Sequence, residues 1–205
     1  MKKRLSGVLV MALVMAMGFA TIARAEEDLK KFGVRIRAIY VMPAEDFDNE
    51  LSAAKFKVND NIIPELDLEY FFLKNVSTEL ILGVSKHDIK SDADGQLVGS
   101  TWLLPPTLTV KYHPLAGNTI SPYVGVGVNY TIPFESKFNG VSDFKVDNSF
   151  GWAAQAGVDI KFKDNLYFNL DYKYIKADTK IRVNGTKYDL DLNPNLFGIG
   201  VGYRF

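Results

Sequence analysis

The chain has no cysteine among its 205 residues. A disulfide framework and thiolate chemistry are thereby excluded. Histidine is almost as scarce: His87 and His113 are the only two. They fall on different segments and lack the spacing of a zinc pair, so no metal and no cofactor is expected. Beyond the N-terminal leader no stretch reaches about 18 apolar residues, which excludes a transmembrane helix. Charge of one sign is also lacking, with 24 Lys and Arg against 24 Asp and Glu. Four of the cations and none of the acids lie in residues 1–25, which leaves 20 against 24 and a formal charge of −4 for the rest. Nothing in that balance points to nucleic acid.

What is present begins with a targeting pattern. Lys2-Lys3-Arg4 is a basic n-region, Val8 to Ala20 an apolar h-region, and Ala23-Arg24-Ala25 an A-x-A cleavage site. Residues 1–25 are expected to be a cleaved secretory signal peptide, and 26–205 a single domain.

Eight segments then alternate in polarity, at about 32–43, 61–73, 77–88, 101–113, 122–133, 150–162, 166–178 and 194–205. Period-2 alternation means strands with two different faces. One set of faces is apolar, for example Val34, Ile36, Ala38 and Tyr40, or Trp152, Ala154, Ala156 and Val158. Aromatics gather toward the ends of these faces, as interfacial girdles do. The opposite faces carry Arg35, Arg37, Glu65, Asp67, Glu69, Glu79, Lys111, Asp159, Lys161, Asp171, Lys173 and Arg204, interleaved with glycine. Alternation alone fits a barrel with an apolar inside or its inverse, a membrane barrel. The charges decide. Opposite signs at matching depth, Arg35 and Arg37 beside Glu65, Asp67 and Glu69, suit a confined interior where they pair.

The last strand, Phe197-Gly-Ile199-Gly-Val201-Gly-Tyr203-Arg-Phe205, alternates to its final aromatic. A closed barrel needs such a strand to pair with the first and abolish both edges. Tyr203 and Phe205 resemble the signal read by the bacterial barrel-assembly machinery. Connections alternate between short (Leu73–Val76, Pro114–Ser121, Lys163–Asn165) and long (about 44–60, 89–100, 134–149 and 179–193). The fold class is thus all-β: an eight-stranded antiparallel, up-and-down transmembrane barrel in the outer membrane of a diderm bacterium, with four long extracellular loops and three short periplasmic turns. Its expected partners are outer-membrane lipid and lipopolysaccharide, periplasmic chaperones and the assembly machinery.

Candidate sites are few. Ser85, His87 and Asp88 lie near the outer end of one strand. Ser85 and His87 point the same way, but about 7 Å of strand separates them, so they read as a polar strand end and no catalytic residue is assigned. His113 before Pro114 reads as a turn residue. An eight-stranded interior is just wide enough for side chains to fill, so no wide aqueous pore is expected. Phe47, Phe56, Phe134, Phe138, Phe144 and Trp102, in or near the outer loops, fit either an entry for a hydrophobic ligand or rim anchors.

Leu104-Pro-Pro-Thr-Leu108, Pro122-Tyr-Val-Gly-Val-Gly-Val-Asn-Tyr-Thr131, Gln155-Ala-Gly-Val-Asp159 and Gly202-Tyr-Arg-Phe205 together resemble the outer membrane protein W family. The resemblance implies a narrow, mostly hydrophobic interior that passes small hydrophobic molecules toward the membrane. It also implies a constriction between an apolar residue on strand three and a tryptophan on strand seven. Ile81 takes the first position and Lys173 the second, a departure from the family pattern. Lys173 is expected to pair with Asp171 or Asp159 or to snorkel. Inward parity nominates Ile39, Val41, Phe71 and Ile81, with Lys173, as channel-lining residues.

Overall fold

Alternation of apolar and polar residues produces strands joined by turns, with no helix among the described residues. The computed structural model describes residues 30–42, 45–47, 56–58, 60–91, 96–139, 144–183 and 185–205; the expected leader lies outside them. The strands are β1 (Phe32–Met42), β2 (Glu45–Phe47), β3 (Phe56–Val58), β4 (Asn61–Leu73), β5 (Val76–Gly83), β6 (Ser85–Ser91), β7 (Leu97–Leu104), β8 (Thr107–Tyr112), β9 (Ile120–Phe138), β10 (Phe144–Val146), β11 (Ser149–Lys163), β12 (Leu166–Val183), β13 (Thr186–Leu192) and β14 (Asn195–Arg204).

Eight of them close a ring through antiparallel neighbours, in the order β1, β4, β5, β8, β9, β11, β12, β14 and back to β1. Arg35 pairs with Gly202 and thence with Tyr167 in one direction. In the other it runs through Asp67, Ile81, Thr107, Asn129 and Gly151 to Ala177. The ring therefore closes with a stagger of ten residues along β12, which tilts the strands by roughly 40°. At that tilt an eight-stranded barrel encloses a side-chain-filled lumen. The closing ladder is sealed at its end by Phe32 and Phe205, whose amides bond each other's carbonyls at 3.1 and 2.8 Å.

The faces follow the parity of the sequence. Ile36, Val126, Ile199 and Phe150 are exposed on the outside, where a lipid-facing band belongs. Leu80 has the same parity yet is buried, because its register partners Leu68 and Leu108 flank it on both sides. Aromatic contacts form two belts. Phe32–Tyr70, Phe162–Phe168 and Tyr203–Phe205 lie at the end with the short turns. Tyr172–Phe197, Trp152–Tyr174 and Trp102–Phe134 lie toward the other.

Two expectations need correction. The third and fourth segments are not single strands: β5 gives way to β6 at Val84, and β7 to β8 at Pro105–Pro106. The outer connections are not plain loops either. β9 runs on to Phe138 and β12 to Val183, and β12 pairs with β10 and β13 beyond the ring. A strand that leaves the bilayer still has backbone groups to satisfy, and pairing with its neighbour does so.

Candidate functional site

The lumen divides into two storeys. The lower one, toward the short turns, is a network of ions. Arg35 comes from β1 and reaches Asp159 at 3.1 Å, Asp67 at 3.4 Å, Glu69 at 3.5 Å and Glu79. Arg37, one inward position higher, pairs with Glu65 at 2.7 Å, Asp67 at 2.8 Å and Asp171 at 3.2 Å. Lys111 pairs with Glu69 at 2.9 Å and Glu79 at 3.4 Å. Neutral groups add further bonds, while Asp67 Oδ1 and Gln155 Oε1 are buried without one. Gln155 donates to Glu79 Oε2 and Thr109 Oγ1, both at 2.9 Å. Tyr123 donates its hydroxyl to Asp171 Oδ2 at 2.7 Å, and Asn169 Nδ2 donates to Asp159 Oδ1 at 2.8 Å. Each of these ions is at least nine-tenths buried. Ions so far from water persist only when paired and hydrogen-bonded, and here each carboxylate touches more than one donor or cation.

Glycine makes room for the bulkiest members. A Cβ on Gly157 would lie 2.4 Å from Tyr123 Oη, and one on Gly202 would lie 2.2 Å from Tyr167 Cζ. The aromatic rings thus lie flat against bare backbone.

Above the ions sits an apolar cluster of Ile39, Val41, Ile63, Ala153, Ile175, Ala177 and Leu196. Facing it from β6, β7 and β9 are Ser85, His87, Thr101, Asn129 and Thr131, all buried. The outer storey is therefore apolar on one side and polar on the other.

The wall beside this storey is interrupted. The β5–β8 ladder ends at Ile81–Thr107 and the β6–β7 ladder resumes at Ser85–Leu103. Between them Leu82-Gly-Val84 faces Leu104-Pro-Pro106. The β4–β5 ladder ends at Glu65–Gly83, just below Pro64. Above it, among the described residues, a side-chain bond joins β4 to β6: Asn61 Nδ2 donates to Lys86 O at 2.8 Å. Pro64, Pro105 and Pro106 carry no N–H, so three ladder donors are missing from one patch of wall.

Of the nominated residues, Ile39 and Val41 lie in the apolar cluster. Ile81 is buried where Arg35's register row meets the outer storey. Phe71 is buried at the opposite end, against His113 with ring centroids 5.0 Å apart, and so does not join the outer group. Lys173 neither snorkels nor takes Asp171 or Asp159. It is fully buried and pairs with Glu65 at 3.2 Å. Arg35, Arg37, Glu65, Asp67 and Glu69 do meet in one cluster, which Glu79, Lys111, Asp159 and Asp171 complete. Lys161 is exposed rather than inward, being past the end of the lumen. His113 is not a solvated turn residue. It is fully buried, with Nε2 3.2 Å from both Glu69 Oε1 and Ser77 Oγ. Ser85 and His87 close their gap through their side chains, with Oγ and Nε2 2.9 Å apart. Trp102 and Phe134 stack at 6.1 Å, and Phe138 meets Phe144 at 5.3 Å; the side chains of Phe47 and Phe56 lie outside the described set. Among the described residues no group of three His, Cys, Asp or Glu could hold a metal ion. Seam and polar wall were both missed from sequence, though Pro64 within a strand and the Pro105-Pro106 pair were legible signals for the first.

Comparison with known proteins places this architecture. The family model described as the OmpW family matches residues 30–205. Outer membrane protein W of Vibrio cholerae is 33% identical over the whole of both chains. A Pseudomonas aeruginosa protein named for a dibenzothiophene metabolism operon is 27% identical over 72% of this chain and 73% of its own. The crystal structure of outer membrane protein OprG from Pseudomonas aeruginosa superposes with a TM-score of 0.75 at 25% identity, covering 87% of this chain and 99% of that one. Family match, closed eight-strand ring and lipid-facing exterior agree, and the chain belongs to the OmpW family of outer-membrane β-barrels.

Proposed function

We propose that this barrel is a narrow conduit that takes small hydrophobic molecules into the outer membrane and releases them sideways. The observation that carries this is the conjunction of three features: an apolar cluster, a floor of paired ions beneath it, and a ladder interruption beside it. A solute that enters from outside and cannot pass the ions leaves through the wall between Leu82–Val84 and Leu104–Pro106. Ile81 borders both storeys and serves as the sill of that exit. The relative named for a dibenzothiophene metabolism operon supports an aromatic solute. Lipopolysaccharide at the outer rim, periplasmic chaperones, and an assembly machinery that reads Tyr203 and Phe205 complete the proposed partners. In this reading the protein does no chemistry.

The test is uptake of a radiolabelled small aromatic hydrocarbon by cells lacking the protein and by cells re-supplied with it. Re-supply is expected to speed uptake, with no gain for a charged solute of similar size, and Ile81→Lys to remove the gain. Equal rates would instead favour a structural or adhesive barrel. The depth of the ionic floor is the observation that favours this second reading.

A further inference from the structure

In the outer storey the polar groups mostly close on one another. Asn129 Nδ2 donates to Thr107 Oγ1 at 2.8 Å, Thr131 Oγ1 donates to Asn129 Oδ1 at 2.8 Å, and the hydroxyls of Thr101 and Ser136 bond at 2.8 Å. His87 is the exception. Its Nε2 is held by Ser85 Oγ, while Nδ1 is buried and has no partner. Asp88 does not take up that nitrogen, since its Oδ1 is 3.0 Å from Lys86 Nζ. A buried ring nitrogen without a bond costs free energy until something bonds it.

We propose that Ser85 and His87 form a subsite for the polar end of a neutral amphiphilic solute, such as a hydroxylated aromatic, whose apolar body lies against the isoleucine cluster across the lumen. This rests on the conduit reading and sharpens its solute class. The hydroxyl follows from the tautomers. If Ser85 donates to Nε2, Nδ1 carries the proton and donates. If Nε2 donates to Ser85, Nδ1 accepts. A hydroxyl answers either. Neutrality follows from the charges. Arg35, Arg37, Lys111 and Lys173 are all engaged by carboxylates in the lower storey, so a carboxylate brought beside His87 would lose its hydration with no spare lumenal cation among the described residues to receive it. Position adds the rest. Ser85 is the first residue above the ladder interruption, so a solute anchored here lies beside the exit.

The test uses the full folded barrel in lipid nanodiscs with ¹⁵N-labelled histidine, titrated with 2-naphthol and, separately, with naphthalene. The His87 ring nitrogens, assigned by their loss in His87→Phe, are expected to shift saturably with 2-naphthol and not with naphthalene. His87→Phe keeps a ring in place and is expected to weaken 2-naphthol binding about fivefold, the worth of one buried neutral hydrogen bond, while leaving naphthalene unchanged. Ser85→Ala, a smaller change, is expected to weaken 2-naphthol in the same direction. The proposal is overturned if both probes shift His87 alike, or if neither variant alters 2-naphthol binding. Uptake by re-supplied cells separates it from the conduit reading. A selective His87 response without faster uptake of either probe upholds the subsite and defeats the conduit. Faster uptake of both probes with no selective response does the reverse.

Discussion

Glu65 has two cations, Arg37 Nη2 at 2.7 Å and Lys173 Nζ at 3.2 Å, whereas Arg37 is shared by three carboxylates. Removing either cation therefore has unequal consequences. Lys173→Met leaves Glu65 still paired and fills the space with an apolar chain. We expect a loss of about 1.5–3 kcal/mol, the worth of a charge-assisted bond. Arg37→Met strips the nearer cation from Glu65 and both Asp67 and Asp171 of a partner. We expect about 3–5 kcal/mol, the usual cost of breaking a buried pair. Urea unfolding in lipid vesicles, read by tryptophan fluorescence, checks the order; equal losses would mean that Lys173 carries as much of the network as Arg37. The charges themselves were legible, because period-2 alternation assigns every residue to a face. Their partners were not. Parity says inward but not how high, and the ten-residue stagger sets which heights meet. That is why Lys173 finds Glu65, 108 positions away, rather than its neighbours on β11 and β12.

The ladder interruption belongs to the element scale. Replacing Pro105 and Pro106 together by valine returns an amide donor toward β5 at position 105 and one toward β9 at position 106, where the carbonyl already accepts from Tyr130 N. The β5–β8 ladder is then expected to extend upward past Ile81–Thr107. Amide exchange of Leu82, Gly83 and Val84 should slow by tenfold or more, and hydrocarbon uptake should fall if solute leaves through this patch. Slower exchange with unchanged uptake would move the exit elsewhere. All eight ring strands could be read from sequence because each has apolar residues at alternate positions, down to Leu108, Val110 and Tyr112 on the six residues of β8. The strand extensions outside the bilayer were missed. Alternation does run on there, through Ile181-Arg-Val183 and Tyr188-Asp-Leu190-Asp-Leu192, and Thr179 and Ile181 are buried, but the dense charge made β9 from Phe134 onward, β12 beyond Asp178 and β13 read as polar loop. The split at Val84 was hidden for a different reason, since one residue between two strands leaves the period almost intact.

For the whole molecule, closure and filling make separate predictions. Closure depends on the pair Phe32–Phe205, bonded in both directions and stacked at 6.2 Å. Deleting Phe205 removes the last rung of the closing ladder, and we expect less heat-modifiable barrel on a gel. The chains that do close should be nearly as resistant to urea, because the rungs from Gly33–Arg204 to Met42–Asn195 remain. Filling concerns the route. Arg35, Arg37, Glu79 and Lys111 leave at most about 1% of their side-chain surface to solvent, so no continuous water column passes their level. An ion driven through would have to shed its hydration among charges already neutralised by one another. Barrels of this protein in a planar bilayer under potassium chloride should therefore show no steady conductance step. Arg35→Ala with Glu79→Ala removes one cation and one anion in contact, keeps the net charge, and takes two large side chains out of the floor. That double variant should conduct. Steady conductance by the unaltered barrel would show a path straight through the floor, and a sideways exit would no longer be required. A silent barrel that nonetheless speeds hydrocarbon uptake leaves the wall beside Pro105 and Pro106 as the way out, because a solute that enters the apolar storey has ions below it and lipid beside it.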